Sequence, residues 1–314
     1  MLNRRHIRVK VMQSLYANLG GESEDFSKDQ KFLMQSIYSM YDLYILLISI
    51  FIEVRNKGID QIGKQKQKHL ATKEDKNPNT KFVNNEILKF MGDNELILEK
   101  IKQQETIDWD LDSEYIDIIF KAIVSSNAYK SYMKTRMSNF QQDKEFITTV
   151  FREVIAPNDK LYDYIEDKNL TWLDDLPTIN TTILKLLQKL RPNPTKTYLL
   201  PELYRDEDDL KFATDLFTKT LLNQNELNEE IKHKTINWDS ERLASIDLVL
   251  IQMAICELKH FPSIPVKVTI NEYLEIAKEY STPKSSNFIN GILDKLVKEY
   301  EADGKLNKVG RGLL

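Results

Sequence analysis

The chain has 314 residues, 41% of them hydrophobic, with nine glycines, nine prolines and a formal net charge of −4. So few turn formers disfavour an all-β fold, which needs many tight turns, and favour helices joined by short loops. The charge excludes a surface that is cationic all over, so any nucleic-acid binding has to come from local patches.

Residues 3–18 are predicted to form an amphipathic helix on Ile7, Val11 and Leu15, widened by Met12 and ended by Gly20-Gly21. A second helix is expected over 29–54. Its most apolar run, Leu43–Ile52, is shorter than the ~20 residues a membrane span needs and reads as a buried helix. The basic start has no apolar run behind it to make a secretory signal, so the expected compartment is the cytoplasm. Residues 57–81 are rich in Lys, Gln and Asn and read as a flexible insertion. Its lysines have two readings, a solvated loop and an RNA contact. Helices are expected again over 83–104, 112–135 and 141–155, and over 159–190 with an interruption near Trp172 and Pro177. Arg191-Pro192-Asn193-Pro194 breaks the pattern, and from Asp206 the chain is helical to Tyr300, punctuated by Pro262, Pro265 and Pro283.

A shift of 66 positions aligns Phe146 with Phe212, Thr148 with Thr214, Phe151 with Phe217, Leu161 with Leu227, Ile165 with Ile231, Lys168 with Lys234 and Trp172 with Trp238. Composition alone gives about one or two identities over such a stretch. The reading is a degenerate repeat, 142–190 answering to 208–258; the alternative is coincidence between amphipathic helices. The expected organisation is a helical region over 1–205, a helical module over 206–301 and a flexible tail over 302–314.

Catalytic constellations are missing. His6, His69, His233 and His260 have no metal-ligand spacing, and no glycine-rich phosphate loop or nucleophile elbow occurs. The lone cysteine, Cys256, lies in an apolar run and reads as a core residue rather than a nucleophile. No enzyme activity, cofactor or metal is expected.

Arg4, Arg5, Arg8 and Lys10 crowd the start of the first helix, with no acidic residue before Glu22. Cations at a helix N-terminus cost about 0.3–1 kcal/mol each, so they stand there against a local rule. They read either as an exposed basic helix start or as an RNA contact, since a guanidinium both pairs with phosphate and stacks on bases. Near the other end, Thr269 and Glu272 have capping-box spacing, and Val266, Ile270, Leu274 and Ala277 make the expected buried stripe. Pro283 sits where a first helical residue belongs, with Thr282 as its N-cap. Gly291 in mid-helix predicts close approach of another backbone. The hydroxyls of 281–286 suit a phosphate at a helix start, flanked by Tyr280 and Phe288 for base stacking; Phe288 also reads as core.

These residues resemble the NusB family. The family's opening R-R-x-x-R and Q-x-L-Y correspond to Arg4-Arg5-His6-Ile7-Arg8 and Gln13-Ser14-Leu15-Tyr16. Its L-R-x-A-x-Y-E-L helix corresponds to Ile251–Leu258, its I-P-x-K-V-x-I-N-E run to Ile264–Glu272, and its F-V-N-G-V-L-D-K helix to Phe288–Lys295. Coverage is the first twenty residues and about 210–300. The resemblance implies an all-α, two-subdomain helical bundle, with extra helices inserted between the first helix and the C-terminal module. It also implies a non-catalytic antitermination factor that binds boxA-type ribosomal RNA leader sequence with ribosomal protein NusE, in the RNA polymerase antitermination complex. Carried over by position, Arg4, Arg5, Arg8, Lys278, Tyr280, Ser285 and Phe288 are the implied RNA contacts, and Tyr16 and Asp247 the implied partner contacts. His6 and Gln252 replace family arginines, and Lys284 stands where an acidic residue is common. The alternative is a helical protein–protein scaffold or accessory subunit of an RNA-modifying complex.

Overall fold

The computed structural model describes residues 1–19, 26–68, 72–234, 244–306 and 308–309, and everything below concerns those residues. They are helical and contain no strand. The chain divides into two compact units. Unit 1 joins residues 1–37 to 203–314, and unit 2 is the continuous stretch 38–202. The expected linear division at residue 205 therefore gives way to one in which the first helix folds with the C-terminal module. The first helix buries Ile7, Val11, Met12 and Leu15 against that module, and a buried ion pair set out below joins residues 249 positions apart.

Unit 1 contains α1 (Arg4–Leu19), the start of α2 (Phe26–Lys66), α11 (Glu207–Leu222), α12 (Gln224–Lys234), α13 (Ser245–His260), α14 (Val266–Tyr280) and α15 (Ser285–Ala302). The middle of α13, from Val249 to Leu258, is buried on every side, because α1, α11, α12, α14 and α15 all pack on it. Cys256 lies in this core, where burial pushes its thiol up to about 11. Asn3 caps α1 by accepting the His6 N–H at 3.0 Å. The chain end is partly docked: Lys308 donates to the Glu257 and Phe261 carbonyls at the end of α13, and the Val309 N–H to Pro262. The expected tail is thus held at 308–309; residues 310–314 and the glycine pair Gly20-Gly21 lie outside the described residues.

Unit 2 holds the rest of α2 and α3 (Lys73–Lys76), α4 (Glu86–Gly92), α5 (Glu95–Lys102), α6 (Ser113–Ser125), α7 (Asn127–Tyr132), α8 (Phe140–Val150), α9 (Asp159–Lys168) and α10 (Trp172–Lys189). A π-helical turn over Phe151–Ile155 extends α8. The expected helix over 83–104 is two helices, because Asn94 leaves helical geometry and accepts the Leu96 N–H. That over 112–135 is also two, broken where Ser126 caps α7 through the Tyr129 N–H. Conversely, Pro177 does not interrupt α10, where its ring removes one intrahelical bond.

The second helix runs twelve residues past its expected end at Val54, through much of the supposed flexible insertion. Gly58 makes this possible: a β-carbon there would lie 2.9 Å from Val83 and 3.1 Å from Phe82, so only glycine lets α2 close onto that loop. Lys81 is buried, donating to the Tyr132 carbonyl at 2.8 Å and the Thr135 hydroxyl at 2.9 Å. By length and composition α2 would cross a bilayer, but 72% of its apolar window is buried inside the protein, as in a core helix.

The helix order of the expected repeat is common to both segments. The helical run 140–155, α9 and α10 stand against α11, α12 and α13. Phe146 and Phe212, Phe151 and Phe217, Leu161 and Leu227, and Ile165 and Ile231 are all buried. The pairing of Trp172 with Trp238 falls outside the described residues.

Candidate functional site

The start of α1 stands against a local rule, and long-range carboxylates repair the imbalance. Arg8 is 2% exposed and makes a two-pronged pair with Glu257 of α13 at 2.8 and 2.7 Å. Glu257, itself buried, also accepts from the Thr269 hydroxyl at 2.8 Å and the Tyr273 hydroxyl at 3.2 Å, so four donors converge on one carboxylate. Burial pulls the Arg8 guanidinium down, and the hydrogen bonds and charge of Glu257 outweigh it, holding Arg8 above its ordinary value. Burial, then the neighbouring Glu257, pushes the Tyr273 hydroxyl well up.

The implied RNA contact at Arg8 thus falls on a nearly buried guanidinium whose donors are engaged by Glu257. Its job is to fix α1 on α13 and α14. This also changes the reading of α14. Thr269 serves Glu257 and Glu272 serves Arg5, so they do not form a capping box; Pro265 precedes the helix instead. The buried stripe is Thr269, Tyr273, Ile276 and Ala277, the first two donating to Glu257, rather than the all-apolar stripe expected.

Arg4 and Arg5 remain at the surface, with side chains 41% and 42% exposed. Arg4 donates to Asp209 at 3.1 Å and lies 5.2 Å over the Phe212 ring. Arg5 makes a two-pronged pair with Glu272 at 2.9 and 2.8 Å. The Arg5 hydrogen bonds hold the Glu272 carboxyl below its ordinary value. These side chains and His6 form one wall of a cleft of about 480 Å³, whose other wall is Ile264, Pro265 and Val268.

Along α14 two carboxylates follow each other, each with a cation as partner. Beyond Arg5 and Glu272 comes Glu275, which pairs with the exposed Lys278 at 2.6 Å. Lys278 lies six positions beyond Glu272 on the helix, a rise of roughly 9 Å. The structure thus sets Arg5 of α1 on Glu272 and Lys278 on Glu275, two separate ion pairs along α14.

The corner between α14 and α15 is organised inward. Ser281 and Ser285 donate to the two oxygens of Asp247 at 2.6 and 2.7 Å. Asp247 and Ser285 are both buried. Neither is placed for direct contact with a ligand; they tie the loop to the first turn of α13. Thr282 does not cap α15, which starts at Ser285, and its hydroxyl meets that of Ser285 at 2.8 Å. Gly291 has nothing within 4 Å of where a β-carbon would stand, so no backbone among the described residues explains it. Tyr280 and Phe288 are half-buried, and Tyr16 is exposed on α1.

Sequence reasoning missed Glu257, Tyr273 and Asp209. A signal existed for the first: Glu257 is the one charged residue in the run Leu248–Leu258. A lone carboxylate in so apolar a helix requires a buried cation.

Residues 182–298 match the family model described as NusB family. The transcription antitermination protein NusB of Salinibacter ruber is 43% identical over 112 residues, 36% of this chain and 70% of that protein. The chain belongs to the NusB family. The protein of the same name from Chloroherpeton thalassium is 42% identical over 103 residues, and that from Geotalea daltonii 42% over 85. These two matches cover 33% and 27% of this chain, and 49% and 59% of the relatives' own lengths. No solved structure matches. The NusB match takes in α11–α15 and ends the covered region at residue 298. Helix α1 lies outside it, yet completes the same compact unit.

Proposed function

We propose that this NusB-family protein is a cytoplasmic RNA-binding transcription antitermination factor. In this reading it binds a boxA-type segment of ribosomal RNA leader together with ribosomal protein NusE. It acts by binding, without catalysis, to keep RNA polymerase processive through ribosomal RNA operons. Family membership supports the class. The observation carrying the RNA reading is the cleft at the start of α1, where Arg4, Arg5 and His6 line a part-exposed wall. Lys278, Tyr280 and Phe288 extend the proposed surface along α14 and onto α15, and Tyr16 serves the protein partner. Arg8, Ser285 and Asp247 support it from inside.

One observation favours a second reading, a helical scaffold or accessory subunit of an RNA-modifying complex. Both surface arginines are already paired with carboxylates, Asp209 and Glu272. RNA has to displace those partners. Binding of boxA-like and scrambled oligonucleotides, with and without NusE, separates the readings. The antitermination reading requires tighter binding of the boxA-like strand and a loss of roughly tenfold in Arg5→Ala, with a shallower salt dependence. Equal, salt-independent binding of both strands by wild type and variant would favour the scaffold.

A further inference from the structure

Two carboxylates hold the surface arginines of α1, and they do so from different places. Asp209 lies outside the cleft lining, with its side chain 7% exposed. It accepts from the Arg4 Nε alone, at 3.1 Å, while the guanidinium lies over the Phe212 ring. Arg4 is thus oriented, and its two terminal nitrogens are uncommitted among the described residues. Glu272 lines the cleft itself, with its side chain 21% exposed. It takes both the Nε and the Nη2 of Arg5, at 2.9 and 2.8 Å.

A guanidinium grips two oxygens of a phosphate with the same pair of parallel donors. Glu272 therefore fills the seat that an RNA phosphate needs on Arg5. Its carboxyl is held below its ordinary value, so it is ionised at neutral pH. The carboxylate also keeps a cation when Arg5 turns away. The Arg8 Nη1 lies 3.8 Å from it, and Arg8 is fixed in place by Glu257.

We propose, resting on the RNA reading above, that Glu272 is an internal competitor for the phosphate seat of Arg5, a brake on RNA affinity built into the cleft. Asp209, by contrast, positions Arg4 for contact. Phosphate contacts carry no sequence information, so the brake lowers affinity for every strand by one factor. Stray RNA is then held poorly, and binding depends on the further contacts that a boxA-like strand makes.

The test is anisotropy of labelled boxA-like and scrambled oligonucleotides on the full chain. Glu272→Gln should tighten binding of both strands about fivefold, the upper end for a part-exposed ion pair. It should also steepen the slope of log affinity against log salt by up to about 0.7, the value for one more phosphate neutralised on a single strand. Glu272→Ala should do the same, and lost folding cannot produce a gain. On an Arg5→Ala background the gain should fall below about twofold, and a gain kept in full overturns the proposal. Asp209→Asn removes the same charge outside the cleft and should not tighten binding. Equal tightening by Asp209→Asn overturns the proposal, because net charge alone would then set the affinity. A wild type that binds through Arg5, with a Glu272→Gln variant that binds no tighter, overturns the brake and leaves the RNA reading standing. If neither wild type nor Glu272→Gln binds either strand at low salt, the RNA reading falls and the brake with it.

Discussion

The helices α8, α9 and α10 of unit 2 and α11, α12 and α13 of unit 1 share an order and a buried apolar pattern, yet they anchor their neighbours by opposite means. Each trio begins with a buried aspartate at the same offset, Asp143 and Asp209. In unit 2, Asp143 accepts the Glu86 N–H at the start of α4 at 2.7 Å and the Tyr132 hydroxyl at 2.5 Å. In unit 1, Asp209 accepts Arg4 at the start of α1. Three residues on, Phe146 stacks on the Tyr132 ring with centroids 4.0 Å apart, whereas Phe212 carries the guanidiniums of Arg4 and Arg8 at 5.2 and 5.1 Å. The same frame holds a helix start without a cation, led by Glu86, in one unit and one with two guanidiniums in the other. Position in the frame decides what is anchored; residue chemistry decides whether the anchored end has charge to present to a ligand.

The largest test of that contrast is Arg8→Met. It leaves Glu257 buried without its cation and should cost about 3–5 kcal/mol in urea unfolding, while Arg8→Met combined with Glu257→Leu should recover most of it. Failure to recover would mean that packing, not charge, holds α1. Next is Asp143→Ala, which takes the acceptor from the Tyr132 hydroxyl and from the Glu86 N–H while Asn85 still caps α4; a loss of about 1–3 kcal/mol is expected in urea unfolding, with overall helix content retained by circular dichroism. Smaller, and opposite in sign, is Gly291→Ala in α15, a helix with no counterpart after α10. With open space at that position the variant should gain up to about 1 kcal/mol in thermal unfolding. Gained stability with weakened binding of a partner would identify the glycine as a docking point.

The smallest expected effect is that of Glu272→Gln. The wild-type carboxyl is depressed by Arg5, so its contribution is present above the unfolded carboxylate range near about 4.3 and is lost as pH falls through the lower folded value. The pair is part-exposed and screened, so no more than about 1 kcal/mol is at stake. The variant should show a shallower acid limb below about pH 5, and an unchanged limb would show that the Arg5 pair adds nothing.

Local rules made much of this legible. The apolar period of α1, the punctuation by prolines after α13, and the order of α14 and α15 could all be read in the sequence, as could the shared pattern of the two helix trios. Short-range breaks at Asn94 and Ser126 were readable in principle, because both are good capping residues between apolar runs, but apolar periodicity ran across them. What could not be read was pairing at a distance. Arg8 looked like a surface cation because its partner lies 249 residues away. Asp247 and Ser285 looked like surface polar groups because each conceals the other. The basic stretch after Val54 looked like solvated loop because its order depends on one glycine meeting Phe82 and Val83.

The division of the chain also sets a timetable for biosynthesis. Unit 2 is continuous, so all of its helices have been made once residue 202 is added; unit 1 is split, its first 37 residues emerging long before residue 203. At about 5–20 residues per second the ribosome needs on the order of ten seconds or more to bridge that gap. Throughout it Arg8 has no Glu257 to enter with, and the first helix stays hydrated and basic beside the translating ribosome until α13 emerges.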